Sequence, residues 1–231
     1  MANPKVFAFD VDGPIYDGHL LVDFAAYLVA RKRFDPNVHK EFLHNLAEYR
    51  AGKRPYKQAA QAAVDLFGKG IQGQSTTQIF DDAQAFVRKN KKKFFPKSIE
   101  LLRRLKKQGK KIALLSLSSN ELITAMGKTL KIPFDYYQGS WFKSRGGHYT
   151  GETNASNAHQ FKKDFLARLG KRFKVPKNQV RMVGDSLSDL RSATAARIRF
   201  DPMNPDRELT KALNKPRKNV GKPILTRPRR G

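Results

Sequence analysis

The chain has 231 residues, no cysteine and a formal net charge of +26, from 46 lysines and arginines against 20 aspartates and glutamates. Its length and 39% hydrophobic content suffice for one sizeable core with an inserted or appended subdomain, and the missing cysteines exclude a disulfide framework, a thiolate metal site and a cysteine nucleophile, and fit a reducing compartment. The N-terminus MANPKVFAFD has no basic segment leading into a long apolar stretch, and the most apolar windows, FAAYLVA and IALLSL, are far too short to cross a bilayer; no membrane partner and a cytoplasmic location are expected.

From the N-terminus, KVFAFDV (5–11) is short, apolar and bounded by polar residues, as a strand buried on both faces should be. Residues 18–95 then show no strand pattern. They read as successive helices, LLVDFAAYLVARKRF, NVHKEFLHNLAEYRAG, YKQAAQAAVDLFG and TQIFDDAQAFVRKNKKK, broken at Pro36, Pro55 and the glycines 68, 70 and 73. A helix over 98–108, a strand KKIALLSL (110–117) and a helix over 120–130 follow. The aromatic stretch GSWFKSRGGHYTGE (139–152) turns on Gly-Gly and predicts a hairpin. A helix over 158–169 precedes two weaker strand patterns, VRMVGD (180–185) and RIRF (197–200). Strands alternating with helices predict an α/β fold with a parallel sheet. The expected organisation is a core of 1–17 and 96–210, a helical cap over 18–95 inserted after the first strand, and a basic, proline-punctuated flexible tail over 211–231.

Open parallel sheets place ligands at the carboxyl ends of their strands, and the acidic residues cluster there. Asp10 and Asp12 close the first strand, Ser116 stands at the end of the second, and Asp185 and Asp189 lie in GDSLSD after VRMV. Four carboxylates converging at one edge repel unless a hard divalent cation neutralises them, and an all-oxygen donor set suits Mg²⁺. A carboxylate held beside that ion can attack phosphorus, and a second one two residues on can serve as acid and then base. Each piece alone has a plainer reading: D-x-D-G as a turn, Ser116 as a helix N-cap, GDSLSD as a capped strand-to-helix turn. The order strand-DxDG, helical insert, strand-Ser, helix with an early lysine, strand-GDxxxD is much more specific than any one of them.

In that order the chain resembles the haloacid dehalogenase superfamily, in its phosphoserine-phosphatase-like branch with a helical cap. The resemblance spans about residues 5–210 and implies a three-layer Rossmann-like core. On FAFDVDG it makes Asp10 the nucleophile and Asp12 the general acid and base. On IALLSLSSN it makes Ser116 a ligand of the transferring phosphoryl group. On VGDSLSD it makes Asp185 and Asp189 Mg²⁺ ligands, directly or through water, with the Asp10 carboxylate and the Asp12 backbone carbonyl. The family's lysine early in the helix before that motif falls on Lys162 or Lys163, and the spacing to Phe165 and Leu166 favours Lys162. Pro14 departs from the family, which most often has threonine there. The implied activity is Mg²⁺-dependent hydrolysis of a small phosphorylated metabolite through an aspartyl-phosphate, or phosphoryl transfer by the same residues to an acceptor other than water. In the branch's phosphoserine enzymes a cap glutamate and a cap arginine hold the amino acid; the matching positions here are His19 and Ala63, so phosphoserine is not expected to be the preferred substrate.

The charge is uneven. Residues 88–111 hold twelve basic residues and one acidic one, Glu100, and 211–231 hold eight basic and none acidic. Weak nonspecific nucleic-acid binding through these two stretches is one expectation, in the extreme with the fold as a mere scaffold; a lysine-rich solvated surface is the other. His39 and His44 are five apart on one presumed helix without a third ligand, which argues against zinc. Trp141, Phe142 and Tyr149 are expected to pack against the core rather than stack on a base.

Overall fold

The computed structural model describes residues 3–153, 160–214, 220–221 and 224. Its centre is a sheet of five parallel strands in the order β3 (Tyr136–Ser140), β2 (Lys111–Ser119), β1 (Val6–Asp10), β6 (Val180–Gly184) and β7 (Arg199–Pro202). β1 (Val6–Asp10), β2 (Lys111–Ser119) and β6 (Val180–Gly184) are almost continuously apolar and buried because helices cover both faces. Alternation along the strands divides the core in two. Phe7, Phe9, Ile112 and Leu114 point into one apolar cluster, and Val6, Ala8, Ala113 and Leu115 into the other. The first cluster takes α5 (Pro96–Lys107) and α6 (Asn120–Leu130); the second takes α7 (Phe161–Arg172) and α8 (Leu187–Ala196).

Between β1 and α5 lie α1 (Leu20–Ala30), α2 (Pro36–Arg50), α3 (Tyr56–Gly70) and α4 (Thr76–Lys89), as the breakers predict. Asp35 and Ser75 cap α2 and α4 by accepting backbone N–H groups. Phe24 of α1 packs its ring on Phe67 of α3 and Phe86 of α4, at 6.1 and 5.3 Å between centroids, and the four helices share their apolar cluster with the first face of the sheet. The outgoing and returning passages of chain are paired where they meet: Tyr16 bridges Phe94, and the Asp17 N–H donates to the Lys93 carbonyl.

The hairpin is β4 (Phe142–Arg145) against β5 (His148–Thr153). Phe142 and Tyr149 are buried, Phe142 lying 5.2 Å from the Phe67 ring, whereas Trp141 is 62% exposed and departs from the expected packing. Gly68 of α3 sits so close to the hairpin that a Cβ there would lie 2.9 Å from the Gly151 carbonyl oxygen. His39 packs its ring edge-on against Phe34.

Four differences from the sequence reading have physical reasons. β3 (Tyr136–Ser140) was not anticipated: it is a five-residue edge strand of mixed polarity, YYQGS, and it takes Gly139 and Ser140 out of the expected hairpin. β2 continues to Ser119 past an irregularity after Leu115, and Ser119, not Ser116, caps α6 by accepting the Leu122 N–H. α7 begins at Phe161; of the predicted 158–169 helix, residues 158 and 159 lie outside the described residues. β7 (Arg199–Pro202) is followed by α9 (Arg207–Leu213), which is capped by Asp206 and places residues 211–213 of the expected tail in a helix. Further on, Val220 bridges Phe200, and Gly221 and Ile224 donate N–H groups to Phe200 and Pro202; the remainder of the predicted flexible tail lies outside the described residues.

Candidate active site

Strand register assembles the acidic cluster. Asp10 pairs with Leu115, so Ser116 lies one step further along β2, and Phe9 pairs with Val183, so Gly184 and Asp185 lie just beyond on the other side. Asp10, Asp185 and Asp189 each present a carboxylate oxygen within 4.8 Å of the others. The Asp12 side chain is outside that set; it turns to the N-terminus of α1, where its Oδ1 accepts the Leu20 N–H at 3.0 Å.

Lys162, buried on the first turn of α7, donates to Asp10 Oδ2 and to Asp189 Oδ1, both at 2.7 Å. Lys163, the next residue of the helix, is exposed. Lys162, which the spacing favours, is the one of the two that contacts these carboxylates among the described residues. Asp189 is fully buried and its second oxygen accepts from the Ser186 hydroxyl and from the backbone N–H groups of Asp185 and Ser186, a capping box that fixes the start of α8. The plainer reading of GDSLSD as a capped turn is thus also true, and the cap carboxylate is the same one that holds Lys162. Ser116 is buried, and its hydroxyl accepts the Ser118 N–H at 3.0 Å.

Burial pushes the Asp10 carboxyl up to about 8 against the pull of Lys162, with Asp189 and Asp12 adding to the rise. Burial likewise raises Asp12, against His19 and the Leu20 N–H. Burial disfavours the Lys162 ammonium, but Asp10 and Asp189 outweigh it and hold its proton well above the ordinary lysine range. The three carboxylates of the cluster outnumber the one ammonium in a largely buried setting, a condition that a divalent cation relieves.

The backbone is shaped to let these oxygens meet. Gly13 has φ +87°, and a Cβ there would lie 1.8 Å from Asp185 Oδ2. Loop 13–16 closes with the Gly13 N–H donating to the Tyr16 carbonyl and those of Ile15 and Tyr16 to Val11, so the turn forms with Pro14 at the family's usual threonine position. Asn204 donates its side-chain amide to the Gly13 carbonyl at 3.3 Å, and the Asp206 N–H donates to the Asp185 carbonyl at 2.8 Å. These two residues hold the two acidic loops, a role that sequence reasoning missed because Asn204 and its partner Gly13 lie far apart in the chain.

A cavity of about 360 Å³ opens beside Lys162, walled by Tyr49 and Tyr56 from the inserted helices and by Ser186, Ser188 and Arg191 from α8. Tyr49 and Tyr56 carried no signal in the sequence. Of the two cap positions, His19 is exposed at the N-cap of α1, and Ala63 is half-buried and packs against the core. Arg54, a basic residue of the same inserted segment, donates to the Asn45 side-chain oxygen at 2.8 Å.

The fold thus sets an acidic cluster at the strand edge of a parallel sheet with four helices inserted after the first strand. The family model for haloacid dehalogenase-like hydrolases matches residues 4–197, and the chain belongs to that family. It shares its fold with a phosphoserine phosphatase solved as a phospho-aspartyl intermediate analogue, at 16% identity and a TM-score of 0.65 over 96% of this chain and 94% of that one. A protein of unknown function from Bordetella pertussis Tohama I is similar at 15% identity and TM-score 0.74, over 92% and 96% of the two chains. A phosphoserine phosphohydrolase-like protein from Francisella tularensis is similar at 18% and 0.62, over 96% and 95%. No curated protein matches the chain in sequence.

Proposed function

We propose that this chain is a Mg²⁺-dependent phosphomonoester hydrolase acting on a small phosphorylated metabolite through an aspartyl-phosphate on Asp10. The observation that carries this reading is the buried contact of Lys162 with both Asp10 and Asp189, beside Asp185, with Lys162 also lining a cavity of about 360 Å³. Asp10, Asp185 and Asp189, with the Asp12 backbone carbonyl, would hold Mg²⁺, which when bound neutralises charge on the carboxylates and on the phosphoryl oxygens.

The chain's own residues supply the remaining steps. An Asp10 oxygen attacks phosphorus and the bond to the leaving oxygen breaks. Asp12, whose pKa is raised, protonates that oxygen, then takes the proton of the water that opens the acyl phosphate. Lys162 and the Ser116 hydroxyl hold phosphoryl oxygens, and the cap over 18–95 covers the core of 1–17 and 96–210 during the reaction.

Phosphoserine is a poor fit, because neither His19 nor Ala63 offers the charge that would hold its ammonium or its carboxylate. A panel of phosphoserine, sugar phosphates, nucleoside monophosphates and glycerol phosphates, assayed with Mg²⁺ and with EDTA, tests both points. Turnover that EDTA abolishes, led by a substrate other than phosphoserine, is expected. Metal-independent turnover refutes the metal assignment, and a phosphoserine lead of about a hundredfold refutes the cap reading.

A further inference from the structure

The basic stretch 88–111 is not one surface once folded. Lys93 pairs with Asp23, Lys106 and Lys111 pair with Asp135, and Lys110 donates to Asn3. A different subset converges with a residue from outside the stretch. Arg88, Lys89, Lys91 and Lys92 at the end of α4, Arg103 on α5 and Lys131 after α6 line a groove of about 710 Å³ in which no acidic side chain takes part. Among the described residues none of the six is in an ion pair.

Cations in the last turn of a helix commonly do no more than offset its dipole. Arg103 does that here, donating to the Leu130 carbonyl at 2.7 Å and to that of Lys131 at 3.4 Å. Arg88 and Lys89 stand likewise in the last turn of α4, and Lys89 approaches the Tyr27 ring; Lys91 and Lys92 in the short 3-10 turn that follows and Lys131 beyond α6 bring three further cations to the same concave surface. Concentrating unpaired like charge in a groove costs repulsion that a polyanion relieves.

We propose that this groove binds the phosphate backbone of a nucleic acid without reading its bases. Concavity suits a strand rather than a flat bilayer. Of the apolar lining, Phe94 and Leu130 are buried, Ile99 is half-buried and only Pro96 is exposed, so no open aromatic ring is offered for stacking on a base and no large apolar side chain for membrane insertion. The large exposed apolar residues, Leu43, Tyr49 and Trp141, do not line it.

The test is binding of a labelled random duplex oligonucleotide by the full chain as salt rises from about 50 to 200 mM. Five phosphate contacts give a logarithmic salt slope of about −4.5, a loss of about 500-fold over that range. Arg88→Ala, Lys91→Ala and Lys92→Ala combined remove three exposed cations and should cut the loss to about twelvefold. The charge-matched control, Arg168→Ala, Lys171→Ala and Lys177→Ala combined, lies on and beyond α7 across the sheet and should keep the wild-type slope, as should Asp10→Asn. Absence of binding at about 50 mM overturns the proposal. So does equal weakening by the control, which would mean net charge alone, loss of binding in Asp10→Asn, or equal binding of phosphatidylserine vesicles through the same three residues.

Discussion

Lys162 is the residue on which the site is built, because it is the one cation in contact with both Asp10 and Asp189 among the described residues. Removing it leaves two buried carboxylates facing each other, a loss of about 3–5 kcal/mol in a closed pocket, and removes a ligand of the phosphoryl group. Lys162→Ala is therefore expected to lower kcat/KM at least about a hundredfold and to lower the melting temperature, while Lys163→Ala, on the exposed side of α7, changes neither materially. Equal effects of the two would contradict the assignment. Gly13 makes a second prediction at this scale. A Cβ at 1.8 Å from Asp185 Oδ2 cannot be accommodated, so Gly13→Ala must displace that carboxylate. Binding Mg²⁺ at a hundred times its dissociation constant stabilises a protein by about 2.7 kcal/mol, and the resulting rise in melting temperature should largely vanish in Gly13→Ala. A rise equal to wild type would put the ion elsewhere.

At the scale of elements, Asp135 joins three of them. It accepts from Lys106 of α5, from Lys111 and from the Ile112 N–H at the start of β2, in the passage from α6 to β3. Burial raises its pKa, but these donors outweigh burial and hold it below the ordinary value of 3.8. A carboxyl that is more acidic folded than unfolded stabilises fully above the unfolded value and loses that contribution as pH falls through the folded value. Asp135→Asn should thus lower the melting temperature near pH 7, by the equivalent of about 1–3 kcal/mol, and differ little from wild type near pH 2.5. A gap independent of pH would refute this. The same scale explains what was legible in the sequence. β1 and β2 are buried on both faces and read as apolar runs, β6 reads more weakly because Arg181 interrupts it, and the inserted helices announce themselves by proline and glycine breaks. β3 did not, since half-polar YYQGS at a sheet edge has neither a continuous run nor clean alternation. In the site, the carboxylates were legible from their order along the chain, whereas Tyr56 and Asn204 were not: they act through contacts across the cleft, Tyr56 with Ser188 and Asn204 with Gly13.

For the molecule as a whole, folding separates two roles within one strongly positive field. The excess of negative charge is concentrated at the strand edge with Lys162, while unpaired cations gather in a groove on the flank formed by α4, α5 and α6. The inserted helices belong to both: α2 and α3 wall the cavity beside Lys162, and the end of α4 lines the groove. The central claim is chemical, that phosphorus is transferred to Asp10. Its most direct measurement is an acid quench of the full chain during turnover of a radiolabelled generic phosphomonoester with Mg²⁺, followed by hydroxylamine, which cleaves acyl phosphates. Wild type should retain label that hydroxylamine removes, and Asp10→Asn, lacking the attacking oxygen, should retain none. Turnover without trapped label in wild type, or hydroxylamine-sensitive label persisting in Asp10→Asn, would contradict the account.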